Sequence, residues 1–168
     1  MRADELRSIQ APLKERYRGE PEAALITLSA SGTLDEGVSC SVRTGAAVRA
    51  AAGLHPLTGG DGSLLCSGDM LLEALVACAG VTLRAVATSL EIPVAGGTVS
   101  ADGDLDFRGT LGVDRDAPVG FSSIRLRFDL DTDATPDQLA TLLRLTERYC
   151  VVFQTLASAA ELSATLAG

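Results

Sequence analysis

The chain has 168 residues, of which 46% are hydrophobic and 21% charged, and its formal net charge is −8. That length suits one domain around a single core, and that hydrophobic share excludes a disordered chain. The acidic balance repels phosphate backbones and no Lys/Arg cluster reverses it locally, so nucleic acid is not an expected partner.

Within residues 1–18, Leu6, Ile9, Leu13 and Tyr17 recur at three- and four-residue steps, the pattern of a short amphipathic helix. Charges interleave with these positions and leave no continuous apolar core for a secretory signal, so a cytoplasmic location is expected. Gly19 and Pro21 end the segment. A hairpin region is expected over 24–52, where the apolar runs 24–30 and 38–43 flank the turn-rich stretch SGTLDEG. In the second run Val38, Cys40 and Val42 share a face, which places Cys40 in the core. Gly53 to Gly62 reads as a loop; no Lys-Ser/Thr follows its glycines, so it is not a phosphate-cradling loop. The single histidine, His55, precedes Pro56 there and reads as a structural loop residue.

A long helix is expected over 66–91, apolar around most of its circumference. The stretch Met70 to Leu90 is interrupted by Glu73 and Arg84, which fits a buried helix of a soluble protein better than a membrane span. Glu73, Ala77, Gly80 and Arg84 form a narrow small-residue stripe suited to close approach of another helix. Strands follow within 97–131, where Ile124, Leu126, Phe128 and Leu130 alternate with Arg125, Arg127 and Asp129. Thr135-Pro136-Asp137-Gln138 then supplies an N-cap, a proline at the first helical position and a capping-box glutamine, opening a helical region over 135–163. All of this makes residues 1–168 one α+β domain.

The cysteines stand at 40, 66, 78 and 150, without C-x-x-C spacing and with one histidine, so neither a metal nor a bound cofactor is expected. A thiol reacts as thiolate, which a helix N-terminus or a nearby cation favours. Cys150 lies near such a helix start. Cys78 lies inside the long helix and needs a cation from elsewhere, for which a guanidinium is the natural choice. If the helix includes Cys66, that residue and Cys78 stand about 18 Å apart along the axis, too far for a disulfide. Cys78 and Cys150 occupy separate helices; a tertiary contact can bring them together, which spacing alone does not establish.

The run Ser67-Gly-Asp-Met-Leu-Leu-Glu-Ala-Leu-Val-Ala-Cys78-Ala-Gly-Val-Thr-Leu and the run Glu147-Arg-Tyr-Cys150-Val-Val resemble the two cysteine motifs of the OsmC/Ohr family, in the same order. The resemblance covers roughly residues 20 to 165. It implies an α+β fold with antiparallel sheets around two long central helices in an intertwined homodimer. It also implies reduction of organic hydroperoxides or hydrogen peroxide. Cys78 would be the peroxidatic thiol and Cys150 the resolving one, with an external dithiol as reductant. An apolar pocket at the dimer interface would receive the peroxide.

Two features depart from the family pattern. Cys150-Val151-Val152 stands where Cys-Pro-Val is common, and Ser67-Gly68-Asp69 where a Pro-Glu pair is common, leaving Asp69 or Glu73 to orient the activating arginine. Arg43 is the first candidate for that arginine, ahead of Arg49 and Arg18, and none has the Gly-Gly-Arg-Asp-Gly context of the organic-peroxide branch. These departures favour an alternative, a non-catalytic dimeric protein that binds an apolar small molecule; a third reading makes both cysteines packing residues of an inert scaffold. Cys66 reads as a small helix-entry residue, or as an alternative resolving thiol if the helix begins after it.

Overall fold

The computed structural model describes residues 1–43, 49–158 and 160–166. They form a mixed α+β chain of two compact units, one made of residues 7–73 and 101–126, the other of residues 1–6, 74–100 and 127–168.

The first unit contains most of the N-terminal helix α1 (Ala3–Gly19) and a four-stranded sheet of β1 (Ser31–Leu34), β2 (Ser39–Arg43), β3 (Arg49–Gly53) and β4 (Leu65–Cys66), in that spatial order. The first three strands are antiparallel, and β4 joins β3 in parallel. Strict alternation sorts the side chains. Cys40 and Val42 share one face with Leu34, Ala50 and Ala52, while Ser31, Thr33, Ser41, Arg43 and Arg49 share the other. Gly32 is required on the first face, because a Cβ there would stand 2.9 Å from the Cys40 sulfur.

The expected strand over 24–30 does not form. β1 begins at Ser31, and Leu25, Ile26 and Leu28 are 82%, 80% and 83% exposed. Alternation and apolar content alone do not make a strand; an edge to pair with is also needed, and β2 is already taken by residues 31–34. Cys40, expected in the core, is half-buried. His55 behaves as a loop residue: its Nδ1 accepts from the Leu57 N–H at 3.1 Å, capping a 3-10 turn over Pro56–Thr58, and its ring stacks on Phe107 at 4.8 Å. Phe107 begins a one-turn helix, α3 (Phe107–Thr110), which the sequence pattern does not announce.

The second unit is built on the long helix α2 (Ser67–Ser89) from residue 74 onward. Leu75, Ala79, Leu83 and Ala87, four residues apart, are its fully buried stripe. The helix is long and apolar enough to cross a bilayer by length and composition. Instead, Leu83 and Ala87 join Ile92 and Leu142 in a core flanked by Val86, Val94, Phe128, Leu130 and Ala134. Glu91, at a φ of 56°, turns the chain off the helix end, the Ile92 N–H returns to the Ala87 carbonyl at 2.9 Å, and Ile92 is buried beneath it. Gly80 faces Val99 of a strand, where a Cβ would lie 3.6 Å from the valine methyl; its nearest packing is therefore against a strand and not the helix its small-residue stripe suggests.

Strands β5 (Gly96–Asp104) and β6 (Ser123–Asp131) pair as a two-stranded ribbon. Bonds from Ala95 N to Asp131 O at 2.8 Å and from Ser122 N to Asp104 O at 2.9 Å run them antiparallel. Gly97, at a φ of 142°, lets the backbone pass Asp129, whose carbonyl would lie 2.3 Å from a Cβ at that position. Helix α4 (Pro136–Tyr149) starts at the predicted capping box: Thr135 Oγ1 accepts from the Gln138 N–H at 3.3 Å, and Gln138 Oε1 accepts from the Thr135 N–H at 2.9 Å. Leu142, 1% exposed, is its main core contribution, worth about 2 kcal/mol of apolar burial. The last helix, α5 (Val151–Ala157), stops short of the end of the helical region expected over 135–163.

Candidate active site

One residue separates α4 from α5. Cys150 has an extended backbone, φ −75° and ψ 109°, and serves both as C-cap of α4 and as N-cap of α5. Its N–H closes α4 onto the Thr146 carbonyl at 2.9 Å, and its carbonyl accepts from the Gln154 N–H at 2.9 Å to open α5. Its sulfur accepts from the Phe153 N–H at 3.5 Å, the bond a serine or aspartate oxygen makes at an N-cap. The side chain is fully buried. Buried Thr146, one turn earlier, satisfies its hydroxyl on the Leu142 carbonyl at 2.8 Å and leaves no stray polar group in this wall.

Cys78 lies midway along α2, half-buried, with its thiol beside that of Cys150, near enough for each sulfur to act on the other's acidity. The two sulfurs are not bonded to each other covalently. The pair brought together here is Cys78 and Cys150, both in the second unit.

Their acidities diverge. Partial burial opposes ionisation of Cys78, but the N–H of Val152, the Cys150 thiol, the N–H of Val151 and the Thr82 hydroxyl outweigh it and hold the thiol below its ordinary range. Cys150 moves the other way: burial pushes it up, and the Cys78 sulfur opposes a second negative charge nearby, while the N–H groups of Phe153 and Val152 offset this only in part. One sulfur is thus disposed to ionise and its neighbour to stay protonated.

This reverses the expectation drawn from position. Cys150, at the helix start, was the thiol whose acidity the N-terminus should raise, and Cys78 the one lacking any dipole end. In the structure the N–H groups of Val151 and Val152 act on Cys78, the residue from the other helix, while that of Phe153 stays with Cys150. Val151, Val152 and Thr82 were not singled out from sequence. Thr82 was within reach of such reasoning, since it lies four residues after Cys78 on the same helix face. Val151 N–H had a signal too, because a proline at that position would have no hydrogen to donate.

The remaining candidates lie in the first unit. Arg43 ends β2 with its guanidinium on Ser31 Oγ at 3.3 Å, and Arg49 stands opposite it on β3. Arg18 pairs with Glu15 at 2.7 Å on the surface of α1. Asp69 and Glu73, expected to orient an arginine, form no ion pair among the described residues; Arg43 meets a neutral hydroxyl instead. Cys66 is the last residue before α2, opposite Gly53, and borders a concavity of about 400 Å³ walled by Leu54, Leu71, Leu105, Phe107 and Phe121. Among the described residues no group of His, Cys, Asp and Glu side chains is arranged to hold a metal.

The family model described as OsmC-like protein matches residues 60–165, which include both cysteine motifs. The chain belongs to the OsmC-like family. Solved OsmC-like structures share its fold at low identity. An OsmC-like protein from Mycoplasma pneumoniae is 16% identical, with a TM-score of 0.66, over 80% of this chain and 89% of that one. An organic hydroperoxide resistance protein from Elizabethkingia anophelis is 16% identical, with a TM-score of 0.64, over 81% and 91%. Another from Legionella pneumophila is 14% identical, with a TM-score of 0.62, over 79% and 91%. No curated protein matches the chain. Val151, directly after the second cysteine of the matched region, carries one of the N–H groups that act on Cys78.

Proposed function

We propose that this protein is a thiol peroxidase acting on organic hydroperoxides or hydrogen peroxide. The observation that carries the reading is the juxtaposition of the Cys78 and Cys150 thiols at the start of α5, where the surroundings favour ionisation of Cys78 and oppose that of Cys150. The Cys78 thiolate attacks one peroxide oxygen; the S–O bond forms as the O–O bond breaks, and the alcohol or water leaves after taking a proton. Cys78 becomes a sulfenic acid. The Cys150 sulfur then attacks it, forming a disulfide and releasing water. An external dithiol returns both cysteines to thiols by exchange, so no bound cofactor enters the cycle.

Arg43 is the proposed guanidinium that stabilises the charge developing on the peroxide, so Arg43→Ala should slow the first step while Arg43→Lys restores part of it. The working form is proposed to be a homodimer in the cytoplasm. The exposed run Leu25, Ile26 and Leu28 supports the dimer, since an extended apolar segment without a strand partner gains from a second copy. The deciding experiment measures cumene hydroperoxide consumption with excess dithiothreitol by wild type and Cys78→Ser. Loss of turnover in the variant supports the reading; unchanged turnover ends it.

A second reading, a non-catalytic dimer that binds an apolar small molecule, draws on the largely apolar concavity beside Leu54, Leu105, Phe107 and Phe121. Native mass spectrometry distinguishes it: a co-purifying apolar ligand without peroxide turnover favours it, and rapid turnover by ligand-free protein rules it out.

A further inference from the structure

The polar face of the first unit's sheet carries an arrangement that thiol chemistry does not explain. The register sets Ser31 opposite Arg43 and Arg43 opposite Arg49, so three side chains stand in a row across β1, β2 and β3 on one face. Like charges directly opposed across an antiparallel pair destabilise it. No ion pair offsets that cost among the described residues: the Arg43 guanidinium meets only the Ser31 hydroxyl at 3.3 Å, and the Arg49 side chain has no hydrogen bond or ion pair. Both arginines, with Ser31, Gly32, Thr33 and Ser41, line a concavity of about 430 Å³. The Ser41 hydroxyl is committed to the Asp35 carboxylate at 2.5 Å, and the Thr33 hydroxyl has no hydrogen-bond partner among the described residues.

We propose that this concavity binds a phosphate monoester. A guanidinium presents parallel N–H donors to two oxygens of one oxyanion, and two guanidiniums together offer two positive charges. A dianion cancels both and removes the cross-strand repulsion; a single carboxylate leaves one uncompensated. The volume falls within the small-molecule range of roughly 300–1,000 Å³ and exceeds what a bare phosphate fills, leaving room for an organic group. The proposal holds whether or not Arg43 also assists the peroxide.

The test is a titration of the full chain in the Cys78→Ser background, so that its outcome does not depend on peroxidase activity. Phenyl phosphate, inorganic phosphate and acetate are added in turn while backbone amide resonances are followed. Saturable shifts with both phosphates at Ser31–Thr33, Ser41–Arg43 and Arg49–Ala51 are expected, with phenyl phosphate the tighter and acetate much weaker. Arg49→Ala should weaken phenyl phosphate at least about tenfold, with Arg49→Lys between. The same Arg49→Ala should leave the ligand-free protein no less stable, since it removes a repulsion. Shifts that do not saturate, equal binding by Arg49→Ala, acetate binding as tightly as phosphate, or a destabilised ligand-free Arg49→Ala would each overturn the proposal.

Discussion

Each unit of the chain holds two cysteines, and the pairs differ in what surrounds them. In the sheet unit, Cys40 fills the space left by Gly32, and Cys66 borders an apolar concavity; neither sulfur has a hydrogen-bond partner among the described residues. In the other unit, Cys78 and Cys150 stand side by side and the backbone N–H groups at the start of α5 act on both. Burial does not separate the pairs, since Cys150 is the most buried of the four and Cys40, Cys66 and Cys78 are all intermediate. What separates them is oriented donors, which favour one charge state of a sulfur over the other. Packing alone leaves a cysteine a small hydrophobe.

The comparison sharpens most under Cys150→Ser. Steady-state peroxide turnover should fall at least ~100-fold because the disulfide cannot form, while one equivalent of peroxide is still consumed. Trapping with a sulfenic-acid probe and mass spectrometry should find the adduct on Cys78. An adduct on Cys40 or Cys66 instead would break the contrast. Next in size is Val151→Pro. The first position of a helix tolerates proline, so α5 should persist while one N–H acting on Cys78 disappears. Its acidity should return toward the ordinary thiol value and attack at neutral pH slow by roughly three- to tenfold, read from single-turnover rates across pH.

A smaller effect separates the thiols by pH alone. Iodoacetamide labelling of Cys78 should rise with an inflection below the ordinary value of 9.0, and that of Cys150 with one above it. The same shifts set the sign for stability. The lowered Cys78 contributes stability that is present above the unfolded-state value and lost as pH falls through the folded one. The raised Cys150 contributes stability that is present below the unfolded-state value and lost as pH rises through the folded one. Smallest of all, Cys40→Ser and Cys66→Ser should each leave turnover within about twofold, as substitutions away from a reacting centre do. A larger loss in Cys66→Ser would make it a resolving thiol after all.

Local rules carried the reading where the physics is local. The opening of α4 was legible because capping box, proline and glutamine all act within four residues, and α2 because its apolar character is continuous. His55 was legible as a loop residue for the same reason. The strand expected over 24–30 failed because pairing needs an edge that periodicity cannot supply. The backbone donors on Cys78 come from a segment some seventy residues downstream, to which no spacing rule within α2 points. The Arg43–Arg49 juxtaposition was hidden likewise, since it depends on the β2–β3 register.

Cys150 is at once the C-cap of one helix and the N-cap of the next. Its sulfur therefore cannot rotate toward a new bond without loosening the Phe153 amide it caps. Oxidation at that atom becomes a mechanical event, transmitted to the backbone on either side of the joint. Deuterium uptake at the start of α5 would then report the redox state of the protein without any label on sulfur.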